Sequence, residues 1–123
     1  MRLTLLLARG DIVLAVFPYS DLSSTKRRPA VIISTDFALN EFTLAFITSQ
    51  HTATASPEEV LLLPAHPEFL LTGLSTASKI RAAKLVTLSS SLLTRRLGRL
   101  GPVLTADFNA ALFIALGLPA STA

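Results

Sequence analysis

The apolar residues of this chain form short runs separated by turn-forming residues, and this pattern constrains the fold more than any other feature. Five runs have the length and the β-branched or aromatic content of strands, at residues 11–17, 29–35, 42–49, 58–63 and 80–88. A shorter extended segment follows at 97–100. Because strands joined by local loops pair antiparallel, the sequence predicts a mainly β fold built as a small antiparallel barrel or strongly bent sheet.

The hydrophobic period changes after Pro102. Apolar residues then recur three and four positions apart, at Phe108, Ala111, Leu112, Ala115 and Leu116, which predicts a C-terminal helix with one face on the core. Pro102 and Gly117 are typical of helix ends. Phe113 and Ile114 lie outside this stripe, so we predict that they form a subunit interface, together with residues 3–7.

The size and composition exclude several classes of protein. With 123 residues and no linker, the chain is predicted to be a single domain over residues 1–123. Half of the residues are apolar, but the longest runs without a charged or strongly polar residue, 12–19 and 110–120, are much shorter than a membrane-spanning helix. Residues 3–8 are too few for a signal peptide, so we expect a cytoplasmic protein. Cysteine is absent and the two histidines are far apart, so no metal or other cofactor is expected.

The basic residues are concentrated in two segments. Three precede Pro29, and residues 75–101 contain six with no acid, whereas residues 36–68 contain five acids and no lysine or arginine. Such segments are typical of surfaces that bind phosphate groups or acidic proteins. Solvated strand faces would produce the same pattern.

Two polar segments border the apolar strands. Lys26, Arg27 and Arg28 stand directly before the second strand, where like charges repel one another unless an anion is bound there. Thr48, with Ser49 and Gln50, ends the third strand. A guanidinium can bind a phosphate through two parallel hydrogen bonds, and a nearby hydroxyl can complete the site. Periodicity alone favours a different interpretation, in which Thr48 is a strand-forming residue and the cations belong to a solvated turn.

Four motifs in order resemble the MazF/PemK (Kid-like) toxins of bacterial type II toxin–antitoxin modules. They are RGDIV at 9–13, RRPAVIIS at 27–34, ITSQ at 47–50, and RLGRL at 96–100 followed by a helix. The resemblance covers residues 9–118. It implies an SH3-like barrel that acts as a homodimer and cleaves single-stranded RNA without a metal. It also implies a cognate acidic antitoxin whose flexible segment folds over the basic groove.

The resemblance assigns the catalytic roles to Arg28 and Thr48. The implied reaction is attack of a ribose 2′-hydroxyl on the adjacent phosphorus, which gives a 2′,3′-cyclic phosphate and a 5′-hydroxyl. A guanidinium gives up a proton reluctantly, whereas the imidazole of His51 is suited to proton transfer; a loop histidine without a role is the competing interpretation. The other residues predicted to bind RNA are Lys26, Arg27, Ser49, Gln50, His51, Lys79, Arg81 and Lys84.

The chain departs from the better-known members at two places. Its first loop, residues 19–26, lacks their usual sequence, and AKLVT at 83–87 stands where many have DQIRT, so that Lys84 replaces a glutamine. The RNA sequence that is cleaved therefore does not carry over to this chain. A non-catalytic nucleic-acid-binding or gyrase-poisoning module, as in the related CcdB toxins, is the alternative function, but the presence of both Arg28 and Thr48 favours a nuclease.

Overall fold

The computed structural model describes residues 6–17 and 26–119, so most of the predicted loop at 19–26 lies outside the described residues. Two short 3₁₀ helices, Phe69–Thr72 and Ser90–Leu92, accompany the main elements. These are β1 (Asp11–Val16), β2 (Arg27–Asp36), β3 (Glu41–Thr48), β4 (Glu59–Leu62), β5 (Ser78–Ser89), β6 (Leu93–Arg99) and a C-terminal helix (Pro102–Leu116).

The six strands form one antiparallel sheet with the order β4-β5-β3-β2-β1-β6, which confirms the predicted mainly β fold with a C-terminal helix. Strand β6 is longer than the predicted extended segment at 97–100. Its first half shows no apolar alternation because Thr94, Arg95 and Arg96 are exposed. Pairing with β1 holds that half in the sheet, and the Thr94 hydroxyl adds a 2.9 Å hydrogen bond to the Leu14 carbonyl.

Side chains alternate along each strand, and each face of the sheet carries a cluster of buried residues. One face packs on the C-terminal helix, which contributes Leu104, Phe108, Ala111 and Leu112. We call the other face the concave face. It carries a second cluster of buried residues, which includes Leu7, Phe17, Ala30, Ile32, Phe42 and Leu44. Burial of each large side chain contributes about 1.5–3 kcal/mol to the free energy of folding.

Strand β5 contains a bulge. Ala45 of β3 pairs with Leu85, but the next residue, Phe46, pairs with Arg81. The three residues between, 82–84, therefore have no partner on β3. Such bulges bend a strand and redirect its side chains, and this one contains Lys84.

The helix N-terminus is capped by a residue from a distant segment. The carboxylate of Glu68 accepts hydrogen bonds from the Val103 and Leu104 N–H groups, at 3.0 and 2.9 Å. A Cβ on Gly101 would lie 2.5 Å from the Glu68 carboxyl carbon, so a larger residue there would displace the capping carboxylate. Burial works to raise the pKa of Glu68, but these donors together hold it below its ordinary value. The His66 Nδ1 accepts a hydrogen bond from the Glu68 N–H, so His66 helps to hold this cap in place.

The predicted interface residues are distributed unevenly. Phe113 and Ile114 are exposed, as predicted, and Leu116 is exposed as well although it was assigned to the buried stripe. Leu7 belongs to the core of the concave face, so its assignment to an interface was wrong, while residues 3–5 lie outside the described part of the chain. Within the described residues, no helix is long and apolar enough to cross a membrane.

Candidate functional site

A groove of about 1060 Å³ lies beside the apolar cluster of the concave face, and Phe17 and Phe46 at the border of that cluster line it. It brings together seven of the ten residues that the sequence predicted for the site. They are Arg28, Thr48, Gln50, His51, Lys79, Arg81 and Lys84.

The strand register explains why these side chains meet. Ala30 pairs with Phe46, so continuation of the register places Arg28 opposite Thr48. Thr48 in turn pairs with Lys79, and Phe46 pairs with Arg81. Residues two positions apart share a face. Arg28, Thr48 and Lys79 therefore form one row of the groove floor, and Phe46 and Arg81 belong to the next row.

Arg28 and Thr48 present complementary hydrogen-bonding groups at this position. The Arg28 side chain is exposed, and no acid of the described part of the chain pairs with it. The Thr48 hydroxyl oxygen accepts the Gln50 N–H at 3.0 Å. This bond uses the oxygen as acceptor and leaves the hydroxyl proton available for a ligand.

His51 reaches the groove through an unusual backbone conformation. Its φ of 54° lies in the left-handed region, which costs a non-glycine residue about 1–2 kcal/mol. This turn brings the residues after Thr48 back to the groove, where Gln50 and His51 line the wall.

Lys79 and Arg81 are already paired within the protein. The Glu59 carboxylate lies 3.0 Å from the Lys79 ammonium and 3.6 Å from Arg81 Nε, and it also accepts the Ser56 N–H at 3.0 Å. The Ser56 hydrogen bond, followed by that from Lys79, holds the pKa of Glu59 below its ordinary value. The Lys79 ammonium also donates to the Thr54 carbonyl at 3.3 Å, and its side chain is only 9% exposed. Lys79 is thus less available to a ligand than the sequence suggested.

Two phenylalanines also line the groove, and sequence reasoning missed both. The Phe17 and Phe46 rings contact each other with centroids 4.2 Å apart, and the Lys84 ammonium lies over the Phe46 ring, 5.0 Å from its centroid. Phe46 belongs to the apolar run at 42–49 but is only half-buried. Its position two residues before Thr48 was the signal that could have placed it in the site.

Three predicted residues do not line the groove. Lys26, Arg27 and Ser49 are exposed, and Arg27 alternates with Arg28 and so lies on the opposite face of β2. Glu59, which the sequence did not assign to the site, lines it instead. Within residues 6–17 and 26–119, no three His, Asp or Glu side chains are grouped so that they could hold a metal ion.

Solved structures similar in fold include endoribonucleases and MazF toxins. An endoribonuclease in complex with its cognate antitoxin, from a mycobacterial species, is 24% identical over 94% of this chain and 99% of its own, with a TM-score of 0.68. MazF from Deinococcus radiodurans is 26% identical over 91% and 97%, with a TM-score of 0.67. The Mycobacterium tuberculosis toxin MazF-mt6 is 21% identical over 89% and 99%, with a TM-score of 0.70.

No curated protein sequence matches the chain significantly. The family model for PemK-like, MazF-like toxins of type II toxin–antitoxin systems, however, matches residues 8–116, which is nearly the whole chain. The four motifs and the fold agree with that match, and the chain belongs to the family of PemK-like and MazF-like toxins.

Proposed function

We propose that this chain is the toxin of a type II toxin–antitoxin system and acts as a metal-independent endoribonuclease on single-stranded RNA. The observation that carries the proposal is the meeting of Arg28 and Thr48 in one groove, the first without an acidic partner in the described residues and the second with a free hydroxyl proton. A guanidinium and a hydroxyl donor on one face suit a phosphodiester whose charge increases during the reaction.

The proposed reaction uses the nucleophile that RNA itself supplies. The 2′-oxygen forms a bond to the adjacent phosphorus, its proton passes to a base, and the bond from phosphorus to the 5′-oxygen breaks as that oxygen gains a proton. The products are a 2′,3′-cyclic phosphate and a 5′-hydroxyl. The protein has to hold the reacting atoms in line and stabilise the dianionic phosphorane.

Each proposed role follows from the chemistry of the side chain. Arg28 donates two parallel hydrogen bonds to the non-bridging oxygens, and Thr48 donates one more to the charge that develops there. Lys84 contacts a neighbouring phosphate, Arg81 lines the groove while paired with Glu59, and Gln50 and His51 contact the strand from the groove wall. His51 is the groove residue best suited to proton transfer near neutral pH.

The proposed macromolecular partners follow from the same surfaces. An antitoxin with an acidic flexible segment would compete with RNA for the groove, and solved neighbours include complexes with an antitoxin. A second copy of the chain would cover the exposed Phe113, Ile114 and Leu116. Light scattering at micromolar concentration tests whether the chain forms this homodimer, and a stable monomer would contradict it.

The activity is tested by incubating the purified protein with a library of single-stranded RNA in EDTA. We expect cleavage that persists in EDTA and falls about 100- to 1000-fold in Arg28→Ala, as for the loss of a donor to a developing anion. Arg27→Ala is the matched control, because it removes a neighbouring cation outside the groove. Full activity in Arg28→Ala would overturn the mechanism. Binding of RNA without cleavage would support the non-catalytic alternative.

A further inference from the structure

We propose that Phe46 and Lys84 form a stacking subsite for the nucleobase next to the cleaved phosphate. This inference rests on the proposed function for the position of that phosphate. It adds a base-binding element that neither the family resemblance nor the strand pattern assigned.

The position of Phe46 fits a base adjacent to the reacting phosphate. Phe46 lies two residues before Thr48 on the same face of β3, so the two are about 6.6 Å apart along the strand. This distance is comparable to the spacing of successive phosphates in an extended single strand. When a phosphate is bound at Arg28 and Thr48, the neighbouring base is therefore within reach of the Phe46 ring.

The Phe46 ring is held in place on one side. It contacts Phe17, with centroids 4.2 Å apart and ring planes inclined by 42°, and Phe17 is a buried member of the concave-face core. A ring that is already fixed loses little freedom when a base stacks on it. Aromatic side chains supported in this way are common platforms for single-stranded nucleic acids.

The β5 bulge places a cation over the same ring. The residues 82–84 leave the pairing with β3 at Phe46, and the Lys84 ammonium lies 5.0 Å from the ring centroid. In the described residues Lys84 has no carboxylate partner, whereas Glu59 already pairs with Lys79 and Arg81. An incoming base takes the place of the ammonium on the ring, and the ammonium moves to the phosphate of the same nucleotide.

The chemistry of the subsite indicates how it recognises its ligand. A phenylalanine ring and a mobile ammonium offer stacking and charge, but no hydrogen-bond pattern to the edge of a base. The subsite therefore accepts any base, with a preference that follows stacking strength, so that purines bind better than pyrimidines.

The test compares two strands of equal charge, namely a 2′-O-methyl oligouridylate of eight nucleotides and an abasic strand of the same length. The 2′-O-methyl group blocks the proposed nucleophile, so binding is measured without cleavage. We expect the wild type to prefer the base-bearing strand, and Phe46→Leu to reduce this preference by about fivefold or more, in line with the loss of one stacked base. Phe46→Leu should bind the abasic strand as the wild type does.

Three further variants separate stacking from general effects. Phe46→Trp should keep the preference or increase it, and Phe37→Leu, an exposed phenylalanine outside the groove, should leave it unchanged. Lys84→Gln should weaken the binding of both strands and reduce the salt slope by about 0.7, the value for one phosphate on a single strand. An unchanged preference in Phe46→Leu would overturn the subsite. Because this readout is binding, it stays decisive even if no RNA is cleaved, which would overturn the proposed nuclease instead.

Discussion

The two sides of the groove carry similar charges but differ in how far those charges are available. On one side, Arg28 is exposed and has no acidic partner among the described residues. On the other, Glu59 holds Lys79 at 3.0 Å and Arg81 at 3.6 Å. Both sides are basic in sequence, but only the first presents an unpaired guanidinium. A count of basic residues therefore does not identify the cations that can act on a phosphate.

The largest expected effect comes from exchanging the two arginines for lysine. Arg28→Lys keeps the charge but loses the paired donors of the guanidinium, so we expect kcat to fall about 100-fold. Arg81→Lys should change kcat less than about twofold, because Glu59 can pair with either cation. Single-turnover cleavage of one RNA measures both variants, and equal losses would remove the distinction between the two sides.

A smaller effect is expected when Lys79 and Arg81 lose their carboxylate partner. Glu59→Gln removes the carboxylate that competes with RNA for Lys79 and Arg81, so RNA should bind several-fold more tightly at low salt. If both cations then contact phosphates, the salt slope should steepen by up to about 1.4, or about 0.7 for each. The matched control is Glu58→Gln, since Glu58 forms no ion pair in the described residues. Weaker binding by Glu59→Gln would mean that Glu59 serves to position the cations rather than to occupy them.

The smallest expected effect is on the pH dependence of Tm, and it distinguishes Glu59 in the groove from Glu68 at the helix N-terminus. The pKa values of Glu59 and Glu68 are both lowered in the folded protein. Their ionised forms therefore stabilise the fold at any pH above the ordinary pKa of a glutamate, and this stabilisation is lost as the pH falls through the lowered pKa. Glu68→Gln should thus weaken the decrease in Tm between pH 7 and pH 3 without changing RNA affinity. Glu59→Gln should have the same effect on the pH dependence and should also change affinity. Altered RNA binding by Glu68→Gln would contradict this division.

Much of the fold was accessible from the sequence because it follows from hydrophobic periodicity. The apolar runs between turn-forming residues located β1 to β5, and the change of period after Pro102 located the helix. Strand β6 was only partly predicted, because Thr94, Arg95 and Arg96 are exposed and no alternation marks its first half.

The sequence predicted most residues of the candidate site but not which of their side chains pair with one another. The motifs indicated Arg28 and Thr48, and the strand register brings them together. Nothing in the sequence showed that Glu59 would hold Lys79 and Arg81, because that contact depends on the pairing of β4 with β5. The bulge that places Lys84 over the Phe46 ring was hidden for a similar reason, since it is defined only by the register of β5 against β3.

The central claim is that Arg28 and Thr48 promote attack by the 2′-hydroxyl of the RNA itself. The most direct measurement compares an RNA that the protein cleaves in EDTA with the same RNA carrying a single 2′-deoxynucleotide on the 5′ side of the cleaved bond. The account predicts that the unmodified RNA yields 2′,3′-cyclic phosphate and 5′-hydroxyl ends and that the modified bond stays intact. Cleavage of the 2′-deoxy bond, or products with 5′-phosphate ends, would contradict it.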